Sequence, residues 1–357
     1  MRWVWLEMRC ENCNNNFKNL SSVLRLCPDC IKGDFDKLKP KIDEVHIKSR
    51  SEFNLPPFPP RDKEGVRCSL CANECQIKEG EFGYCKLRKN ENGSLIHLGG
   101  TKEIGLLEWY YDPLPTNCVA CWVCNGNKEI GYNNLAVFYT SCTFNCLFCQ
   151  NWHYRKMAGH RMSARELAEL VNDKTACICY FGGDPAPQMI HSISSAKIVH
   201  KANKKIRICW ETNGSMNKEL LKEAANLSLE SNGCIKFDLK AYNENLHYAL
   251  CGTSNKRTLE NFNFLSTLIK KRPSPPFLVA STLLVPGYVG VSEVRDIASF
   301  IATCNPDIPY SLLAFYPHFY MNDLPTTSRK EAEDSLKTSF NAGLKKVKIG
   351  NIHLLRT

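Results

Sequence analysis

Three cysteines spaced C-x3-C-x2-C, Cys142, Cys146 and Cys149, constrain this chain more than any other feature. They lie in Tyr139-Thr-Ser-Cys142-Thr-Phe-Asn-Cys146-Leu-Phe-Cys149-Gln-Asn151, directly after a β-rich run, Leu135 to Tyr139. A cubane iron–sulfur cluster takes one thiolate per iron. Three thiolates leave one iron open to a small molecule. Phe144 and Phe148 inside the loop suit a dry shell around such a cluster. A three-cysteine zinc site is the alternative that the spacing leaves standing.

The chain holds twenty cysteines in 357 residues. Its start, Met1-Arg-Trp-Val-Trp-Leu-Glu7, carries an acid soon after its apolar residues and makes a poor leader. No apolar run approaches the ~18 residues of a membrane span. Many cysteines without a leader point to metal ligands in a reducing cytoplasm, not to a disulfide scaffold. Cys10-x2-Cys13 and Cys27-x2-Cys30 bring four thiolates within tetrahedral reach, so residues 1–35 are expected to form a zinc-ribbon-like module held folded by its metal. Residues 36–67 are expected to be a Pro/Lys-rich linker, ending in the extended run Leu55-Pro-Pro-Phe-Pro-Pro60.

Residues 68–134 are expected to be an auxiliary metal-binding region. Cys68, Cys71, Cys75 and Cys85 fall within eighteen residues, with Gly80 and Gly83 where a ligand loop turns tightly. Zinc, a single iron or a cluster would fit this block. Cys118, Cys121 and Cys124 supply three more ligands, either completing a site with that block or holding an auxiliary cluster, with Trp122 excluding water. The net charge of +10 permits an acidic or nucleic-acid partner without requiring one.

From residue 135 to 357 the pattern becomes strands alternating with helices. Ser163-Ala-Arg-Glu166 has the form of a capping box opening a helix. Strands are expected at 176–181, 205–210, 234–239, 277–285, 309–315 and 346–349, with helices at 190–202, 218–225, 258–271, 292–302 and 328–342 between them. Parallel sheets need such crossovers. The unusual polar clusters each follow a strand, which in a βα barrel gathers them on one face.

The cysteine triad resembles the radical S-adenosylmethionine (SAM) superfamily, and other segments resemble its pyruvate formate-lyase activating enzyme-like branch. Gly182-Gly183-Asp184 matches the Gly-Gly-Glu that receives the SAM amino group, with an acid one methylene shorter. Glu211-Thr-Asn213-Gly214 resembles that branch's Asp-Thr-Asn-Gly turn, and the run from Phe237 through Asp238, Lys240 and His247 to Leu259 resembles its Asp-Leu-Lys series. The resemblance implies a partial (βα)6 TIM-type barrel with a cysteine-rich metal-binding extension before it. It also implies a [4Fe–4S] cluster on Cys142, Cys146 and Cys149, and SAM contacts from Gly182, Gly183, Asp184, Glu211, Asn213, Asp238 and Lys240. His318 would line the adenosine or substrate side, or, like His247, serve as a cap or a satisfied core residue. Cys121-Trp-x-Cys124, Gly131-Tyr-Asn-Asn and Cys146-Leu-Phe-Cys-Gln-Asn-Trp152 are also similar to cysteine-rich archaeal radical SAM proteins, including the methanogenesis-marker arginine methyltransferase family. That family's C-terminal cobalamin domain has no counterpart before Thr357, so a corrinoid would have to come from a partner.

Three functions are compatible with these features. The first is a radical SAM enzyme that cleaves SAM reductively and takes hydrogen from a protein or peptide substrate, with an external electron donor such as ferredoxin or flavodoxin. The second is a glycyl-radical enzyme activating enzyme. The third is a non-catalytic zinc- and iron-binding adaptor for RNA or protein, whose RNA binding would weaken steeply with salt.

Overall fold

From residue 105 onward the chain builds one nine-stranded sheet. The computed structural model describes residues 7–116 and 118–357; the leader reading of residues 1–6 lies outside them. The strands are β1 (Gly105–Pro113), β2 (Asn133–Tyr139), β3 (His160–Met162), β4 (Thr175–Gly182), β5 (Arg207–Thr212), β6 (Ile235–Asp238), β7 (Leu278–Leu284), β8 (Tyr310–Ala314) and β9 (Val347–Gly350). They lie in the order β9-β8-β7-β6-β5-β4-β2-β1-β3. β2 and β4 to β9 run parallel, while β1 and β3 add an antiparallel edge. The fold is the expected partial βα barrel, open between its two edge strands, and the antiparallel pair is an addition the sequence pattern did not announce.

Helices α1 (Pro28–Gly33) and α2 (Phe35–Ser51) precede the sheet. Helices α3 (Ala164–Glu169), α4 (Met189–Ala202), α5 (Lys218–Glu230), α6 (Glu244–Cys251), α7 (Lys256–Ser266), α8 (Val291–Cys304) and α9 (Arg329–Asn341) connect its strands. Ser163 and Glu166 do form the capping box that opens α3. Side chains alternate across each strand. Ile178 and Tyr180 of β4, Ile208 and Trp210 of β5, and Ile235 and Phe237 of β6 face the helices and are fully buried with Met189, Ile193 and Ala196 of α4. Trp210 donates its indole N–H to Ser192 Oγ in α4 at 3.1 Å, which leaves no polar atom of that large ring unpaired. The residues facing the other way line the barrel interior, where the chemistry lies.

The first half of the expected linker is a helix. Residues 35–51 form α2, because Leu38, Ile42, His46 and Ser49 recur at helical spacing and are all buried. Charge density had pointed to a spacer, but the lysines occupy the opposite, solvent face. The ribbon is likewise continuous with the barrel. Leu20, Leu24 and Leu26 share one apolar cluster with Phe144, Phe148, Val285 and Phe315. Lys32 pairs with the buried Glu293 at 2.7 Å, and Tyr288 Oη accepts from the Ser21 N–H at 3.1 Å. At Gly287, which has φ +80°, an added Cβ would overlap the Asn19 carbonyl, so the ribbon backbone touches the end of β7 directly. Among the described residues no helix is long and apolar enough to cross a membrane.

Three histidines inside this fold are neutral. His46 Nε2 donates to the carbonyls of Ala249 and Tyr248, and its Nδ1 accepts from Asn145 at 2.8 Å. His191 bonds Met162 O and Tyr139 Oη, and His247 bonds Thr253 O. Burial, only partly opposed by the carbonyl contacts, pushes each down to about 4. The unfolded chain therefore binds more protons than the folded one between about pH 6.5 and pH 4, and stability falls as pH drops through that window. Asp184, pushed up to about 7 by burial, acts in the opposite sense over the same range. Three groups outweigh one, and the expected net loss between pH 7 and pH 5 is on the order of 3 kcal/mol. Urea midpoints at the two pH values test this; an unchanged midpoint would show that the histidines are not held neutral.

Candidate active site and metal centres

The loop after β2 begins with Ser141 at φ +75°, a left-handed residue that turns the chain across the strand ends. Its hydroxyl donates to Cys85 O at 2.7 Å. The amides of Asn145 and Leu147 donate to Cys251 O and Leu250 O at the end of α6, at 2.8 and 2.9 Å. Arg155 is buried beneath the loop, giving Nη2 to Asn145 Oδ1 at 2.9 Å, with its guanidinium 4.3 Å from the Phe319 ring centre. Asn145 is held from the far side by His46 and Ser49 of α2. The triad is therefore carried by a loop tied to four separate segments.

Cys142, Cys146 and Cys149 border a cavity of about 180 Å³. Gly182, Gly183, Asp184, Glu211 and Asn213 line it at the ends of β4 and β5, and Asp238 and Lys240 line it after β6. All the sequence-expected SAM-site residues thus meet at one place except His318, which sits outside this lining with its ring 5.4 Å from Tyr316. The two glycines follow from space. Gly182 has φ +123°, and a Cβ there would overlap the Tyr139 backbone; a Cβ on Gly183 would overlap the Ser141 carbonyl and lie 2.7 Å from the Tyr154 ring. Backbone at this point passes where no side chain can.

The Asp184 carboxylate is held by its neighbours. It accepts from the amides of Asn213 and Ala186 at 2.6 and 2.7 Å and from Thr212 Oγ1 at 3.1 Å. Lys240 Nζ lies 2.7 Å from Asp238 Oδ2, and Ser281 donates to the other Asp238 oxygen. Burial works against the Lys240 charge, yet Asp238 and Cys146 hold its pKa above the usual lysine range. Burial raises the Cys142 and Cys149 thiols, so loading a metal group here releases protons. Cys146 is held low by a hydrogen bond from Cys251, whose sulfur is 3.5 Å away. Sequence reasoning assigned no role to Cys251 or Arg155. The only local signal was an arginine thirteen residues after Cys142 and a cysteine immediately before Gly252.

The ribbon thiols Cys10, Cys13, Cys27 and Cys30 all lie within 4.8 Å of one another, with Cys10–Cys30 at 3.8 Å and Cys13–Cys27 at 3.9 Å. Zinc–sulfur bonds of about 2.3 Å in a tetrahedron set sulfurs ~3.8 Å apart. The four side chains therefore fit a single tetrahedral ion. Cys68, Cys71, Cys75 and Cys85 surround a void of about 10 Å³. This block braces the triad loop, through Ser141 on Cys85 and Asn73 Nδ2 on Thr143 O at 2.8 Å. The Cys118–Cys124 knuckle does not join it, which removes one of the two placements open from sequence. Trp122 pins the knuckle inside the barrel instead, its indole N–H on Ser311 Oγ of β8 at 3.0 Å.

Residues 136–301 match the family described as "Radical SAM superfamily". The chain carries a radical SAM domain and is an enzyme of radical SAM chemistry. It is similar to an uncharacterized protein of Methanocaldococcus jannaschii, 27% identical over 308 residues that cover 82% of this chain and 83% of that one. A second protein of that organism, named as a glycyl-radical enzyme activating enzyme, is 28% identical over 210 residues, covering 57% of this chain and 74% of its own. The isethionate sulfite-lyase activating enzyme of Desulfovibrio desulfuricans is 31% identical over 173 residues, 46% of this chain and 50% of that enzyme. Among solved structures, a domain of pyruvate-formate lyase-activating enzyme from Bacteroides vulgatus aligns at 20% identity with a TM-score of 0.39, covering 48% of this chain and 98% of that one. The family implies an iron–sulfur cluster and SAM. Three thiols beside a cavity that also presents the Asp184 and Asp238 carboxylates and the Lys240 ammonium fit that pair of groups.

Proposed function

We propose that this enzyme cleaves SAM reductively at a [4Fe–4S] cluster held by Cys142, Cys146 and Cys149 and takes hydrogen from a protein or peptide. The observation that carries the reading is the convergence of the triad, the Gly182-Gly183 edge and the Asp238–Lys240 pair on one cavity. Bound there, the reduced cluster would supply the electron that splits the SAM sulfonium into methionine and a 5′-deoxyadenosyl radical. Gly182 and Gly183 line the cavity and let the end of β4 pack directly on Tyr139 and Ser141, which fixes the edge against which the methionyl end of SAM would lie. Asp184, with Asn213 and Thr212 bonded to it, offers a fixed acceptor for the ammonium, and Lys240 a cation for the carboxylate. Phe144 and Phe148, both buried, keep water from the loop. An external one-electron donor of the ferredoxin or flavodoxin type completes the requirement. The test is anaerobic reconstitution with iron and sulfide, then reduction with dithionite in the presence of SAM. 5′-Deoxyadenosine should accumulate; its absence from fully iron-loaded protein would reject the reading.

The names of the activating-enzyme relatives favour a macromolecular substrate, and a glycyl-radical enzyme is the specific second reading. Two exposed basic residues of the ribbon, Lys18 and Arg25, the latter ion-paired with Glu11 at 3.0 Å, are the docking residues we assign to it. Removing residues 1–60 would also remove His46 and Ser49, which prop the triad loop, so point changes make the cleaner test. Lys18→Glu with Arg25→Glu should lower turnover of the true substrate severalfold while substrate-free SAM cleavage stays level. Equal turnover would remove the ribbon from substrate recognition.

A further inference from the structure

The interior of the half barrel is lined with thiols. Cys177 and Cys179 point inward from β4, Cys209 from β5 and Cys234 from just before β6, and Cys179 stands in register with Cys209. The knuckle residues Cys118, Cys121 and Cys124 close the same cavity of about 360 Å³. Barrel interiors ordinarily pack Val, Ile and Leu in these layers. Here three neighbouring strands put sulfur there instead, and a loop that is not part of the barrel inserts three more sulfurs to face them.

Two further observations point to a ligand. Backbone N–H groups are aimed at the sulfurs: Ala120 N at Cys118, Gly126 N at Cys124 and Cys234 N at Cys209, each 3.4 Å from its acceptor. Such donors favour the thiolate, the form that binds metal. The second observation is Lys236, which is 2% exposed. Its Nζ lies 3.1 Å from both Cys118 Sγ and Cys179 Sγ and 3.2 Å from Glu211 Oε2. A buried ammonium needs anionic company; Glu211 supplies one charge, and the other two contacts of this one are sulfurs that would become anionic on binding a metal group.

We propose that this chamber holds a second iron–sulfur cluster, ligated by thiolates of the 118–124 knuckle on one side and of Cys179, Cys209 and Cys234 on the other. A single ion is the poorer fit. Among the described residues, only the ribbon gathers three or more ligand atoms within 4.8 Å of one another. The chamber sulfurs are spread more widely around a larger space, as a group of several irons requires. Asn151, Phe181 and Glu211 border both this chamber and the triad cavity. The second cluster therefore lies behind the SAM pocket, one layer of side chains away. The site rests on its own thiols and stands apart from the SAM-cleavage reading.

The experiment uses the full chain carrying Cys142→Ala, Cys146→Ala and Cys149→Ala as background, reconstituted anaerobically with iron and sulfide. Adding Cys118→Ser, Cys121→Ser and Cys124→Ser should remove about four irons and about four acid-labile sulfides per chain. The difference between the two proteins isolates the chamber from the 68–85 block. The single variant Cys209→Ser, one buried atom changed, guards against misfolding of the larger set. It should shift the electron paramagnetic resonance signal of the reduced background protein and weaken iron retention severalfold. Iron and sulfide contents untouched by the knuckle changes would overturn the proposal, as would stoichiometric zinc or iron bound there without labile sulfide.

Discussion

Replacing Cys142, Cys146 and Cys149 together by Ala is expected to abolish 5′-deoxyadenosine formation while metal binding at the four ribbon thiols is unchanged. Each change removes a ligand on a loop whose backbone is tied elsewhere, to Cys85, Leu250, Cys251 and Arg155. The loop should therefore hold its course without the thiols. The ribbon sulfurs form their own tetrahedral set, so their metal does not depend on the triad. Metal analysis and chromatography of the reaction products, run on the same preparation, read both halves. Deoxyadenosine at the wild-type rate would sink the triad assignment, and loss of the ribbon's metal binding together with the triad's iron would show that the two centres fold as one unit.

The second large effect is expected from Gly183→Ala. The added methyl would overlap the Ser141 carbonyl and press on the Tyr154 ring, both part of the triad loop. Neither neighbour can yield easily. Ser141 is fixed by its bond to Cys85 O, and Tyr154 Oη donates to Phe144 O at 3.2 Å. Overpacking of rigid neighbours costs roughly 3 kcal/mol or more. The variant should load iron poorly at the triad and lose SAM cleavage. Gly33→Ala is the control, because nothing lies within 4 Å of its Cβ position and its φ is not positive; it should change stability by less than about 0.5 kcal/mol. Equal iron loading in Gly183→Ala and wild type would show that the loop can move aside.

Much of the barrel was legible in the chain. The runs 176–181 and 309–315 fall within a residue or two of β4 and β8, because β-branched and aromatic residues bounded by Gly, Pro and Asn leave little choice. The helix expected at 190–202 likewise falls within a residue of α4. α2 was obscured by its lysines and an internal Pro40, and α6 by its brevity. β1 and β3 carry no pattern that distinguishes an antiparallel edge from a loop. They form because β2 presents an unpaired edge for β1 to join, and β1 in turn pairs with β3.

The sequence by itself determined the ligand chemistry: which thiols stand close enough along the chain to share a metal, and which glycines must leave space beside them. Short spacing does this because three or four residues of backbone keep side chains within reach of one ion or cluster. Only the tertiary structure decided the pairings across long separations. Cys251 meets Cys146, His46 props Asn145, and Cys118 faces Cys179 around Lys236, over 57 to 118 residues. Those meetings depend on which face of each strand turns inward and where the knuckle enters the barrel. Both are settled by packing of the whole sheet, not by any local run of residues.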